Sequence, residues 1–171
     1  MSKKVIIGIC SILIIIFSIL IYKYIQFNNN RLNKYSDKLL SVASNTRNSI
    51  YLLVEQPTSE ENFISDTKEL ISNLYALEIV LNSGNILLTG DTIDNNSFYF
   101  RSDALMKELK YNDMNEETIE DLNTIAHASD ILIKRFRPYY GTKDKITKKE
   151  IIEAIEDSLV EMRKLNYIIL N

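Results

Sequence analysis

Apolar side chains follow two regimes along this chain: one unbroken block near the start, then a recurrence at every third or fourth residue up to the far end. The block, Val5 to Tyr22, reads VIIGICSILIIIFSILIY and holds no charged side chain. As a helix it covers roughly 27 Å, and with Lys23 snorkelling beside Tyr24, Ile25 and Phe27 it reaches the roughly 30 Å of a hydrocarbon core. The pattern predicts a single N-terminal transmembrane helix. A cleaved signal would show a shorter apolar region and a small-x-small exit, whereas this run leaves through Tyr22, Lys23, Tyr24, Ile25, Gln26 and Phe27. Lipidation at Cys10 would call for a small residue before it, and Ile9 stands there.

Beyond the block the helical period predicts four helices of similar length. The first runs from about Arg31 to Gln56, with Leu32, Tyr35, Leu39, Val42, Thr46, Ile50 and Leu53 on one face, and stops before Pro57. Thr58 and Glu61 have capping-box spacing and open a second helix, whose seam is Phe63, Thr67, Leu70, Leu74, Leu77 and Leu81; Ser83-Gly84 reads as its left-handed stop. Asn115 caps a third helix to Arg137, with Ile119, Leu122, Ala126, Ser129, Ile133 and Phe136 inward and Pro138 closing it. Thr147 and Glu150 repeat the capping box ahead of a fourth helix that aligns Ile152, Ile155, Leu159, Met162 and Ile169.

The expected fold is all-α: a membrane anchor over 1–27, then a domain over 28–171 built as an antiparallel up-down-up-down four-helix bundle with a long, partly irregular segment between helices 2 and 3. In that topology residues 84–114 return to the membrane side, and residues 138–146 sit at the far tip. The 84–114 segment is far longer than the two to eight residues usual between bundle helices. Its apolar runs at Asn85–Thr89 and Ser97–Arg101 suggest a small hairpin ahead of a short helix from Asp103 to about Tyr111.

Two Pro and four Gly in 171 residues leave little material for turns, in keeping with helices. Setting aside Lys3, Lys4 and Lys23, seventeen basic residues face twenty-three acidic ones, so the domain carries a formal charge near −6. That balance argues against nucleic acid as a partner, which calls for a basic footprint. Cys10 is the sole cysteine, so no internal disulfide can form and packing alone must hold the fold.

Two stretches stand out as a candidate interaction surface. Phe98, Tyr99, Phe100 and Arg101 would either meet the headgroup layer or a partner's span, or plug the open end of the bundle. Between 134 and 149, Lys134, Arg135, Arg137, Lys143, Lys145, Lys148 and Lys149 face only Asp144; with Tyr139 and Tyr140 they would suit an anionic polymer or an acidic protein patch, or form a solvated turn. Chemistry is scarce by comparison. His127 is the single histidine, with Asn123 and Asp130 a turn away on either side, and no nucleophile is in a recognisable setting. Neither Glu-x-x-His pairs nor a phosphate-cradling glycine loop occurs, so no cofactor and no metal are expected.

An anchor followed by an antiparallel bundle resembles the ectodomain plan of bacterial chemoreceptors in architecture, without a shared motif. A receptor of that kind needs a second span and an output domain, and no later apolar run reaches membrane length before Asn171. The expected function is a non-catalytic interaction or accessory module of the cell envelope, held by an uncleaved signal anchor through residues 5–27. The N-terminus would lie in the cytoplasm beside Lys3 and Lys4, the domain outside it, and the partner would be a membrane or envelope protein. The alternatives are a small-ligand or sensory accessory that signals through a partner, an envelope enzyme using His127, and, for assembly, a homo-oligomer through Ser11 and Ser18.

Overall fold

The computed structural model describes residues 3–55, 59–87, 98–109, 111, 114–142, 145–165 and 168–170, with side chains from residue 10 onward except at 85–87, 98, 99, 102, 103 and 168–170. Its helices are α1 (Lys3–Glu55), α2 (Glu60–Leu87), α3 (Ser102–Glu108), α4 (Glu116–Phe136) and α5 (Lys148–Met162). A two-stranded antiparallel ribbon joins β1 (Phe98–Phe100) to β2 (Ile168–Leu170), with Phe100 opposite Ile168. The all-α class holds, with this ribbon as an addition.

The apolar block and the first bundle helix are one helix. At 53 residues α1 is about 80 Å long, and no Pro or Gly lies between Cys10 and Glu55 to bend it. Two environments divide it. Residues 10–28 are exposed around the whole circumference, and this part contains a window of mean hydropathy 2.0 that is long and apolar enough to cross a membrane. From Leu32 onward one face is buried through Tyr35, Leu39, Ala43, Thr46, Ile50 and Leu53, in step with the sequence pattern except that Ala43 takes the inward place expected of Val42, which is half-buried.

Hydrogen bonds fix the direction of α2. Tyr35 Oη donates to the Val80 carbonyl (3.0 Å), Thr46 Oγ1 to the Asn73 carbonyl (3.3 Å), and Asn73 Nδ2 to Ser49 Oγ (2.7 Å). Numbers rise along α1 as they fall along α2, so the pair is antiparallel. Phe63, Thr67, Leu70, Leu74, Leu77 and Leu81 are all buried against it. The helix opens on Ser59, whose Oγ accepts from Asn62 N–H (3.2 Å); Thr58, the cap suggested by spacing, lies outside the described residues. Gly84 does not stop α2, which runs on to Leu87, and Gly141 has the one positive φ among the described glycines. Gly84 is small for a packing reason: a Cβ there would fall 2.9 Å from Tyr35 Cζ and closer still to its hydroxyl.

The up-down-up-down order is not what the contacts give. Arg47 of α1 pairs with Asp130 of α4 (2.9 Å), while Asp37 to Asn45 share a groove with Arg137 and Tyr140 beyond the end of α4. Thus α4 also runs opposite to α1 and points the same way as α2. Chain from α2 must therefore climb the length of the bundle before α4 begins, which explains why the connection is so long. Along that climb Phe100 N–H donates to a Glu78 carboxylate oxygen (2.9 Å), and the Tyr111 ring meets Phe63 at the far end (centroids 5.7 Å). Residues 98–111 consequently do not stay at the end nearest the apolar window, as the sequence-based topology had them. The proposed strand over 85–89 is replaced by helix to Leu87, and residues 88–97 lie outside the described residues.

Helix α4 starts at Asn115, whose side chain accepts from Thr118 N–H (2.7 Å), and passes into a 3-10 turn at Arg137–Tyr139 that holds Pro138. Helix α5 opens with the complete Thr147–Glu150 capping box and returns antiparallel to α4, with Ser158 Oγ donating to the Ala128 carbonyl (3.0 Å). It ends at Met162, shorter than the seam through Ile169 predicted, because residues 168–170 pair with β1 instead. Packing thus runs from α2 to α1 to α4 to α5, and the ribbon links the end of α5 back to α2.

Candidate interaction surface

The two stretches singled out by sequence meet different fates. Phe98 and Tyr99 have their backbone in the ribbon, and their side chains lie outside the described residues. Phe100 is buried in the core, in the same apolar cluster as Leu105 and Leu109. Arg101 is exposed at the start of α3, where its carbonyl accepts from Ala104 and Leu105 N–H. Among the described side chains of this stretch, Arg101 alone is exposed.

The basic stretch keeps its exposure but changes place. Antiparallel packing of α1 and α4 puts Arg137 and Tyr140 abreast of Asp37 to Asn45, toward the apolar window and away from the far tip. The chain reaches that position through local chemistry. Phe136 ends α4, Pro138 sets the 3-10 turn, Tyr140 N–H bonds back to the Arg137 carbonyl (3.2 Å), and Gly141 at φ 69° turns the chain toward α5.

Around that turn lies a shallow groove of about 320 Å³, bordered by Asp37, Leu40, Ser41, Ser44, Asn45, Arg137 and Tyr140. Tyr140 is 62 % exposed there, a phenol ring with one amphipathic face available to a partner. Tyr139 points the other way and donates to Glu150 (2.6 Å). That bond, with those from the Thr147 N–H and hydroxyl, holds the Glu150 carboxyl below the usual carboxylate range. Arg135 reaches Asp157 (3.7 Å) and Lys149 reaches Glu153 (3.5 Å), so part of the local positive charge is met within α4 and α5. Lys145 is exposed; Lys143 lies outside the described residues.

His127 is exposed on α4. Its would-be orienter Asp130 accepts from Arg47 Nη1 instead, so this carboxylate braces α1 against α4. Among the described residues no group of three His, Cys, Asp or Glu is placed to hold a metal ion. Sequence reasoning passed over Arg47 altogether, since neither its charge nor its position in the helical repeat distinguishes it; only the fold brings it to Asp130.

With this geometry in view, comparison with known proteins adds no relative: no protein-family model, curated protein or solved structure matches the chain. The class defined by the fold is a helical domain continuous with a helix long and apolar enough to cross a membrane.

Proposed function

We propose that this is a single-pass membrane protein whose helical domain works as a non-catalytic interaction or accessory module of the cell envelope. One observation carries the reading: a helix whose apolar residues 10–27 are exposed all round continues without a break into the buried seam of the domain. Ile12 to Phe17 and Ile19 to Ile21 would be costly to leave in water, and a bilayer covers them completely. Residues 5–27 act as an uncleaved signal anchor with Lys3 and Lys4 on the cytoplasmic side, and residues 28–171 are extracytoplasmic.

The partner is a membrane or envelope protein that touches the groove beside Tyr140 and Arg137, residue types that concentrate binding energy at interfaces. An anionic envelope polymer is the other occupant that the basic residues of 134–149 suit. The bilayer is a poor candidate for this flank. Residue 40 of α1 is thirteen residues past Phe27, about 20 Å along the axis, whereas charge is screened within about 8 Å at physiological ionic strength. A second reading, a small-ligand accessory, draws on the carboxylate, guanidinium and phenol that Asp37, Arg137 and Tyr140 bring to one cavity.

The test combines carbonate extraction, a C-terminal topology reporter, and photo-crosslinking from position 140 in cells. Retention in the membrane, an external reporter signal and a discrete protein adduct support the proposal. Release by carbonate or a cytoplasmic reporter signal overturns it, and adducts to nothing but lipid or solvent remove the groove as the contact.

A further inference from the structure

The register between α1 and α2 has a consequence for where the domain stands. Tyr35 and Val80 are abreast, and Gly84 also lies against the Tyr35 hydroxyl. Three to seven residues further along each antiparallel helix, the end of α2 at Leu87 draws level with residues 28–32 of α1. At about 1.5 Å per residue this puts Leu87 within about 8 Å of the level of Phe27, the last apolar residue of the exposed part of α1. The bundle therefore has no stalk between it and the apolar window.

At this level the Asn28 to Asn30 run of α1 is flanked by aromatic, apolar and basic residues. On α1, Tyr24 (72 % exposed) and Phe27 (62 %) are bare, and the Arg31 guanidinium sits over the Phe27 ring at 5.8 Å. On α2, Ile79 is 63 % exposed, and the sequence of the helix ends Asn85-Ile86-Leu87. Two apolar residues, two aromatics and one arginine form the composition of an interfacial belt, where rings sit among headgroups and arginine meets phosphate.

We propose that this lower rim, Tyr24, Phe27 and Arg31 of α1 with the last turn of the α2 backbone, is a second membrane-contact site that seats the domain on the headgroup layer of its own bilayer. The inference rests on the anchored reading given above. It adds a lipid surface as the partner of α2, which no apolar length in α2 alone would give. Rotation of the domain about a flexible joint is excluded by this seating, because two helices and not one enter the interface. A tilt near the 20° average for spanning helices brings one side of the rim deeper and keeps the contact.

The test uses the full chain carrying Cys10→Ser, with one cysteine introduced at position 15, 64, 86 or 87 and labelled with an environment-sensitive fluorophore. The proteins are reconstituted in phosphatidylcholine and phosphatidylglycerol vesicles, in parallel with a shallow nitroxide lipid, read at 64, 86 and 87, and with a deep nitroxide lipid, read at 15. Position 15 reports the anchor, and position 64, on the same α2 helix near its distant start, reports bulk water. Quenching at 86 or 87 several-fold above that at 64 is the expected result. Quenching at 15 with 86 and 87 as unquenched as 64 overturns the rim while leaving the anchor intact; no quenching at 15 overturns the anchored reading itself.

Discussion

Replacing Gly84 by Ala tests the reason given for that glycine. In a helix Ala is favoured over Gly by about 1 kcal/mol, so propensity alone makes the variant more stable. The structure argues the reverse. The new methyl would meet the Tyr35 ring at 2.9 Å from Cζ and its hydroxyl closer still, and Tyr35 is 4 % exposed with nowhere to retreat. Overpacking costs about 1 to 3 kcal/mol, and pushing the phenol from the Val80 carbonyl forfeits about 1 kcal/mol more. The expected net effect is a loss of about 2 kcal/mol, or a fall of roughly 4 to 8 °C in Tm for a domain of this size. Tyr35→Phe alone should cost about 1 kcal/mol, since the Val80 carbonyl keeps its bond from Ser83 Oγ (2.8 Å). Together the two changes should cost less than their sum, because removing the hydroxyl gives the methyl part of its space. Thermal unfolding of the full chain in detergent micelles, followed by far-UV circular dichroism, provides the four values of the cycle. A Gly84→Ala protein as stable as its parent, or strict additivity with Tyr35→Phe, refutes the close-approach argument.

Other outcomes follow from particular contacts. Ser129 Oγ is buried with no hydrogen-bond partner among the described residues, so Ser129→Ala should raise stability by up to about 1 kcal/mol in the same assay. Arg47→Ala removes the α1 to α4 brace, whose groups are each 25 % exposed, and should lower stability by about 1 to 2 kcal/mol, more than Lys149→Ala at an exposed pair. Glu150 has its carboxyl pKa depressed in the fold, first by the Tyr139 hydroxyl and then by Thr147. Its contribution is therefore present above the ordinary carboxylate pKa of about 4.3 and fades as pH drops through the lower folded value. Protection of the Thr147 amide, taken as exchange relative to its intrinsic rate at each pH, should fall below about pH 4, and Glu150→Ala should lack that protection already at pH 7, with a loss of about 1 kcal/mol.

Periodicity revealed the inward faces well. Every seam position assigned in the second helix is buried, as are Leu32, Tyr35, Leu39, Thr46, Ile50 and Leu53 of the first, and the caps at Asn115 and Thr147 form as spaced. Direction was not legible, because an amphipathic stripe states which side is covered and leaves open by which neighbour and in which sense. Reversing α4 moved Arg137 and Tyr140 from the expected tip to the lower flank. Residues 168–170 were ambiguous for a different reason. A short apolar run fits strand and helix equally, and its pairing partner, Phe98–Phe100, is some seventy residues away. Gly84 was misread since a glycine after a seam signals a stop unless one knows that Tyr35 stands opposite.

The unbroken course of α1 turns residue count into an angle. Each residue advances a helix by about 100°, so the compass bearing of the Tyr140 groove relative to any one face of the span is set by the number of residues between them. Inserting a single residue among Asn28, Asn29 and Asn30 would swing the whole domain about a third of a circle relative to that face, whereas seven would return it to within about 20°. A neighbour that grips both the span and the groove would lose its hold in the first case and keep its orientation in the second.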